Sequence, residues 1–216
     1  ISVGSVFILI GLFFKLTIAP FHMWGPDVYE GAPTIVTAFF AIVPKIAFFT
    51  LLIRLFLYSF YDFLAILSYV ILICSVVSMF ISATTGLSQV KIKRLLAFSS
   101  IGQVGYMLIG IVVGTLDSLQ NFFLYLIIYC IMSLGIFGFI LLINYQNKKK
   151  LKTYRIKYLT ELSNLNQINI TLTFLFAIIV FVWISQRCKR RFSVFTRFLI
   201  LEYKDSWNNR KSGRNL

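Results

Sequence analysis

The chain has 216 residues, 59% of them hydrophobic and 13% charged, with a mean hydropathy of +0.86. Soluble domains carry about 25% charged residues, so the composition excludes an ordinary soluble domain and points to an all-α polytopic membrane protein. The net charge of +14 does not signal nucleic acid, because six Lys/Arg cluster between Lys148 and Lys157 and nine more lie beyond Gln186, and basic stretches beside apolar spans are orientation signals.

A membrane β-barrel would need alternating segments of about 10 residues, and the apolar runs here do not alternate. Cys74, Cys130 and Cys188 lack metal or redox spacing; the first two read as small apolar packing residues. Ile1 stands inside an apolar run with no charged leader, so no signal peptide is expected and the chain reads as a fragment of something longer.

The first span runs from Ile1 to about Ala19. Pro20 lacks an N–H and is expected to break the helix there, one turn after Lys15. A second half-helix through His22 and Trp24 should follow, and Gly31-Ala32-Pro33 should turn the chain. Broken helices in membranes need protein or a water-filled cavity around the freed backbone groups. All four prolines, the single His, and the acids Asp27 and Glu30 lie between Lys15 and Lys45.

The second span is expected over 34–57. Lys45 follows Pro44 near its middle, where a lysine costs about 2.5–3.5 kcal/mol on insertion scales. Snorkelling is a poor account of it, because roughly ten residues separate it from either end. Arg54, near the far end, does fit snorkelling.

The third span reads 63–84 and is followed by a loop, Thr85–Arg94, carrying Lys91, Lys93 and Arg94 as topology signals. The fourth, 95–113, contains Ser99, Ser100, Gly102, Gln103 and Gly105. Small residues there permit close helix approach, and the hydroxyls and amide can bond across helices or line a polar path. A loop over Gly114–Gln120 with Asp117 leads to a fifth span, 122–143. Asn144–Lys157 follows as a basic connection, and a sixth span runs over 168–184. This alternation places Gly31–Pro33, Lys91–Arg94 and Lys148–Lys157 on one side, the cytoplasmic or matrix side. A sixth crossing would deliver the basic tail to the other side, against that rule.

Two motifs carry a family resemblance. FKLTIAPFHMWGPDVYEGAPTIVTAFFAIVPKIAFFTLLIRLF (Phe14–Phe56) and KIKRLLAFSSIGQVGYMLIG (Lys91–Gly110) resemble the subunit-2 family of antiporter-like membrane subunits of respiratory complex I, the proton-pumping NADH:ubiquinone oxidoreductase. Tyr158–Phe181 is a weaker match. The resemblance covers 1–181 as an antiporter-like domain and leaves 182–216 as a basic tail unlike the family. It implies an inverted-repeat fold of which about six helices are present, the first broken near Pro20. It also implies that Lys15 is the buried lysine of the broken helix and Lys45 the central lysine of the next.

The family's glutamate partner lies upstream of Ile1. The Gly-Ile-Pro-Pro-Leu-type break of the second repeat is absent, and no role is carried onto Lys189. A frameshift, a retained intron or an unedited transcript is one account of the tail.

The resemblance implies proton translocation through Lys15 and Lys45, coupled to NADH-to-quinone electron transfer. Secondary candidates are His22, as relay or as structural residue, and Asp27, Glu30, Ser99, Ser100 and Gln103. Asp27 and Glu30 read first as turn residues at the matrix surface, Trp24 and Tyr29 as interfacial anchors. No cofactor is expected on this chain; NAD, FMN, iron–sulfur clusters and ubiquinone belong to other subunits. Expected partners are other membrane-arm subunits and lipid, with no nucleic acid. A stand-alone cation/proton antiporter and an inactive truncated or mistranslated product are the alternatives. The composition, with 23 Phe and 11 Tyr, suggests an AT-rich genome and the mitochondrial inner membrane, with a bacterial plasma membrane or a thylakoid as the other settings.

Overall fold

The structure is a computed structural model that describes residues 2–55, 59, 64–114, 116–149 and 158. The sixth span, the basic tail and most of the Asn144–Lys157 connection lie outside the described residues. Among the described residues six helices follow in order: α1 (Ser2–Leu16), α2 (Trp24–Gly31), α3 (Thr34–Arg54), α4 (Leu64–Leu87), α5 (Ile92–Val113) and α6 (Leu116–Lys149). Among the described residues, four stretches are long and apolar enough to cross a membrane: Thr34–Arg54, Leu67–Leu87, Ile92–Val113 and Asp117–Tyr145. α4 lies along α5, α3 packs on α1 and α6, and α5 also packs on α2 and α6.

Burial follows the logic of a lipid solvent. On α4, Ser75, Ser78 and Ser82 are buried, while Tyr69, Ile73 and Phe80 are exposed. A soluble helix would show the reverse pattern. In lipid, apolar surface gains nothing by turning inward, and small residues at the seam allow close packing. The seam partners are Gly102 and Gly105 of α5. A Cβ on Gly105 would meet the Ser75 carbonyl oxygen and Met79 Cγ, each at 3.0 Å, and one on Gly102 would collide with Ser82.

The expected close approach is therefore present. The hydroxyls at that seam bond within their own helices. Ser75, Ser78 and Ser82 donate to their own helix at Leu72 O, Ser75 O and Met79 O. Ser99 and Ser100 likewise donate to Leu96 O and Ala97 O. A back-bond satisfies a buried hydroxyl without a partner on the next helix.

The main apolar cluster joins Phe13 and Leu16 of α1, Phe49 of α3, Ile71 of α4, Leu108 of α5 and Phe122 of α6. The rings of Phe49 and Phe122 meet edge-on, with centroids 5.4 Å apart, a favoured aromatic geometry.

Four boundaries differ from the sequence reading. The helix break falls around Pro20 as expected, but α1 already ends at Leu16, and Thr17 is the residue that stops it. Thr17 has φ 58°, its N–H donates to Phe14 O at 3.2 Å, and the Ile18 N–H donates to Phe13 O at 3.0 Å. Those two bonds form a Schellman motif, which stops a helix with a left-handed residue. Buried Ile18 and Phe13 supply the apolar contact that accompanies it. Pro20 follows in the connecting turn, with a cis Ala19–Pro20 bond.

The loop expected over Thr85–Arg94 shrinks to Ser88–Lys91. Lys93 and Arg94 stand in the first turn of α5. The loop expected over Gly114–Gln120 is almost all helix. Gly114, at φ 64°, caps α5, and Asp117 lies in the first turn of α6, where a carboxylate complements the helix dipole. α6 then continues to Lys149, 34 residues in all. At about 1.5 Å per residue that is roughly 50 Å, well beyond a hydrocarbon core of about 30 Å.

Candidate functional site

α3 carries Lys45 one residue after Pro44, and helical geometry continues through both. Proline removes the N–H that would serve the carbonyl of Phe40, one turn earlier. At this turn α6 supplies Tyr129. Lys45 Nζ donates to the Tyr129 hydroxyl at 3.0 Å, and that hydroxyl donates to the Ala41 carbonyl at 3.0 Å. Nζ also lies 5.2 Å from the Tyr129 ring centroid, within cation–π range.

Lys45 is 5% exposed and Tyr129 9%, so the lysine is held inside protein and does not snorkel. Among the described residues no carboxylate lies within ion-pair distance of it. A buried ammonium with a neutral partner carries much of its desolvation cost uncompensated.

A second polar region joins α2 to the start of α5. Glu30 pairs with Lys91, and Arg94 Nη2 bonds Asp27 Oδ1 at 2.5 Å. Arg94 Nε lies 3.2 Å from Glu30 Oε2 without hydrogen-bond alignment. Lys93 Nζ donates to Ala32 O at 2.6 Å. The Lys91 ammonium beside Glu30, together with the charges of Lys91 and Arg94, holds the Glu30 carboxyl below the usual carboxylate range. Cations at a helix N-terminus oppose its dipole, and Asp27, Glu30 and the α2 C-terminal carbonyl offset that here. Lys91 also forms a β-bridge with Tyr158. Gly31–Pro33, Lys91–Arg94 and Tyr158 thus share one end; most of Lys148–Lys157, which the alternation of spans placed there too, lies outside the described residues.

Asp27 and Glu30 are therefore pairing residues of that end, not free turn residues, and Lys91, Lys93 and Arg94 are their partners. Tyr29 is 5% exposed, packs with Ala41, Ile42, Ala97 and Phe137 and shares a side-chain hydrogen bond with Ser100. It is a core residue, not an interfacial anchor. Trp24 braces the break: its Nε1 donates to Phe14 O at 2.9 Å, and its ring stacks on Phe14 at 5.5 Å.

Lys15 stands in the last turn of α1, where a cation complements the helix dipole. It is exposed; the described residues do not bury it, and they do not join it to Lys45. His22 is 6% exposed, and its Nδ1 has no hydrogen-bond partner among the described residues. Gln103 is buried on α5, near Ser100, while Ser99 is half-buried. The carbonyls at the break are largely taken by protein donors, Leu16 O by Thr17 Oγ1 and Ile18 O by the Phe21 N–H, which leaves less backbone for water than the sequence suggested.

Tyr129 was not singled out in the sequence. The signal was present: a phenol hydroxyl near the middle of an apolar span, far from any interface, must find a partner.

Residues 1–184 match the family profile described as NADH:quinone oxidoreductase/Mrp antiporter, TM. The chain is 43% identical over 181 residues to NADH-ubiquinone oxidoreductase chain 2 of Marchantia polymorpha, which covers 84% of this chain and 35% of that relative. It is 51% identical over 140 residues to NADH-quinone oxidoreductase subunit N 1 of Acidiphilium cryptum, covering 65% of this chain and 29% of that one. Among solved structures, a chain of respiratory complex I from Thermus thermophilus superposes with a TM-score of 0.58 at 30% identity, over 76% of this chain and 34% of that chain. A chain of the Mrp complex from Dietzia sp. gives 0.61 at 26% identity, over 66% and 16%. This chain thus spans about a third of the length of the first curated relatives, 35% and 34%.

Proposed function

The chain belongs to the NADH:quinone oxidoreductase/Mrp antiporter family of transmembrane proteins, and on that premise we propose that it is a proton-translocating membrane-arm subunit of NADH:quinone oxidoreductase. The observation that carries the reading is Lys45: buried, inside a helix opened by Pro44, and bonded to a neutral phenol. A unit charge arriving about 10 Å away changes such a group's energy by about 1.7 kcal/mol at an effective dielectric of about 20. That is more than about tenfold in its protonation equilibrium. Charge moved elsewhere in an assembly would thereby load or release a proton at Lys45. Lys15 is the second proposed station, with His22, Ser100 and Gln103 as polar residues on either side.

In this reading the partners are other membrane-arm subunits and lipid. The electron carriers NAD, FMN, iron–sulfur clusters and ubiquinone sit in other subunits, and coupling arrives through packed charges. The paired end with Glu30 and Lys91 faces the matrix. The mitochondrial inner membrane is supported by the Phe-rich composition and by 43% and 41% identity to plant chain 2 relatives. Bacterial relatives keep a plasma membrane as the alternative.

The test is Lys45→Ala in the assembled membrane complex, with pumping followed by dye quenching in sealed vesicles. Pumping should fall about tenfold or more, the usual scale for a lost proton-transfer group, while NADH oxidation by an artificial acceptor persists. Wild-type pumping in this variant would end the reading. Likeness to the Mrp complex favours a second reading, a cation/proton antiporter. Co-purification with NADH-oxidising subunits separates the two.

A further inference from the structure

Tyr129 has a single phenolic proton, and it goes to the Ala41 carbonyl at 3.0 Å. Its oxygen therefore faces Lys45 Nζ, also at 3.0 Å, as an acceptor. Ala41 lies three residues before Pro44, in the turn where the helix ladder is opened. One side chain from α6 thus does two things. It bonds the carbonyl next to the Phe40 carbonyl that Pro44 leaves free, and it fixes where the lysine points.

We propose that Tyr129 is a positioning residue for Lys45, holding Nζ at the Pro44 turn by accepting its hydrogen bond while anchored to the Ala41 carbonyl. The inference rests on the reading of Lys45 as a proton-path residue. An acceptor aimed at an ammonium stabilises the protonated form, so Tyr129 also sets how firmly Lys45 keeps its proton. Among the described residues, the other titratable groups close by are Cys130 of α6 and Tyr29 of α2, which pack in one cluster with Ala41, and Tyr125, one turn before Tyr129 on α6. α1 and α5, the other neighbours of α3, contain no acid; they bring Lys15, Lys93, Arg94 and Tyr106, and the one acid of α6 is Asp117 in its first turn.

The experiment is Tyr129→Phe in the assembled complex, beside Lys45→Ala, with proton pumping followed across pH. Y129F should assemble, oxidise NADH with an artificial acceptor as before, and pump about tenfold less, the scale of one lost hydrogen bond to a charged group. The alkaline limb of its pumping profile should move to lower pH, because an ammonium without its acceptor releases its proton more readily. A packing defect alone would lower the whole profile without moving the limb, and that result overturns the inference. If Y129F does not assemble, 3-fluorotyrosine at position 129 keeps the hydroxyl with a weaker acceptor. A smaller shift in the same direction supports the proposal, and no shift overturns it. If K45A pumps normally, the reading of Lys45 fails. If K45A is inactive and Tyr129 variants behave as wild type, this inference alone fails.

Discussion

Lys45 of α3 donates to the hydroxyl of Tyr129 of α6 at 3.0 Å, across 84 residues of sequence. A lysine embedded in an apolar span has two ways to lower its cost: reach the interface, or bring a partner inside. This chain takes the second. The partner is a phenol whose proton is already committed to Ala41, and its ring offers the ammonium its face as well. Residues on separate helices thus share one polar turn opened by Pro44.

The α4–α5 seam depends on hydrogen-sized side chains. Gly105→Ala should destabilise the protein by about 1–3 kcal/mol, the usual range for overpacking, because its Cβ would meet the Ser75 backbone oxygen at 3.0 Å. Gly11→Ala and Gly138→Ala are the controls. Nothing lies within 4 Å of a Cβ at either position, so neither should lower stability, and helix propensity favours alanine by about 1 kcal/mol. Thermal unfolding of the purified protein in nanodiscs orders the three. A melting temperature for Gly105→Ala equal to those of the controls would refute the seam.

The break at Thr17 makes its own ordering. A non-glycine residue in the left-handed region costs about 1–2 kcal/mol. Thr17 is held there by the Schellman bonds, by its hydroxyl bond to Leu16 O, and by a methyl packed against Gly25, 3.1 Å from where a Cβ would stand. Thr17→Ala keeps the strain and loses the hydroxyl and the packing. Thr17→Gly loses the same contacts and relieves the strain. Thr17→Gly should therefore be the more stable of the two by about 1 kcal/mol. Denaturation of both variants in nanodiscs checks the order, and the reverse order would place the break elsewhere.

The pairing of α2 with α5 should respond to pH. Glu30 is held below its ordinary range first by the Lys91 hydrogen bond. A carboxylate lowered in this way adds stability that is fully present above the unfolded value of about 4.3. That contribution is lost as pH falls through the lower folded value. Hydrogen exchange of the Trp24–Gly31 amides should therefore rise below about pH 4. Glu30→Gln should show the faster exchange already at neutral pH. Added salt should weaken the pairing, because the side chains are partly exposed. Exchange independent of pH, salt and Glu30 would show the pair to be idle.

Much of the architecture was legible because lipid demands long apolar helices with internally satisfied backbones. The turn at Gly31–Pro33 and the end of the fourth span at Val113 both follow from that demand. The boundaries misread were those where a local feature competes with a stronger one. Pro20 looks like a helix breaker, yet the helix had already ended at a left-handed threonine, a conformation that β-branched residues rarely adopt. Asp117 and Asn144 look like loop residues, yet the first suits a helix N-terminus and the second lies in a helix that outruns the hydrocarbon core.

Of the candidate site, the sequence determined that Lys45 stands mid-span beside a proline and so needs a partner, and that Asp27, Glu30, Lys91 and Arg94 belong near one membrane surface. Tertiary structure alone decided who meets whom. Tyr129 reaches Lys45, the acids of α2 meet the basic start of α5, and Lys15 remains on an exposed face of α1. The reason is physical. Apolar periodicity and helix caps are local and can be read along the chain, whereas which polar side chains share a buried space depends on how helices far apart in sequence pack side by side.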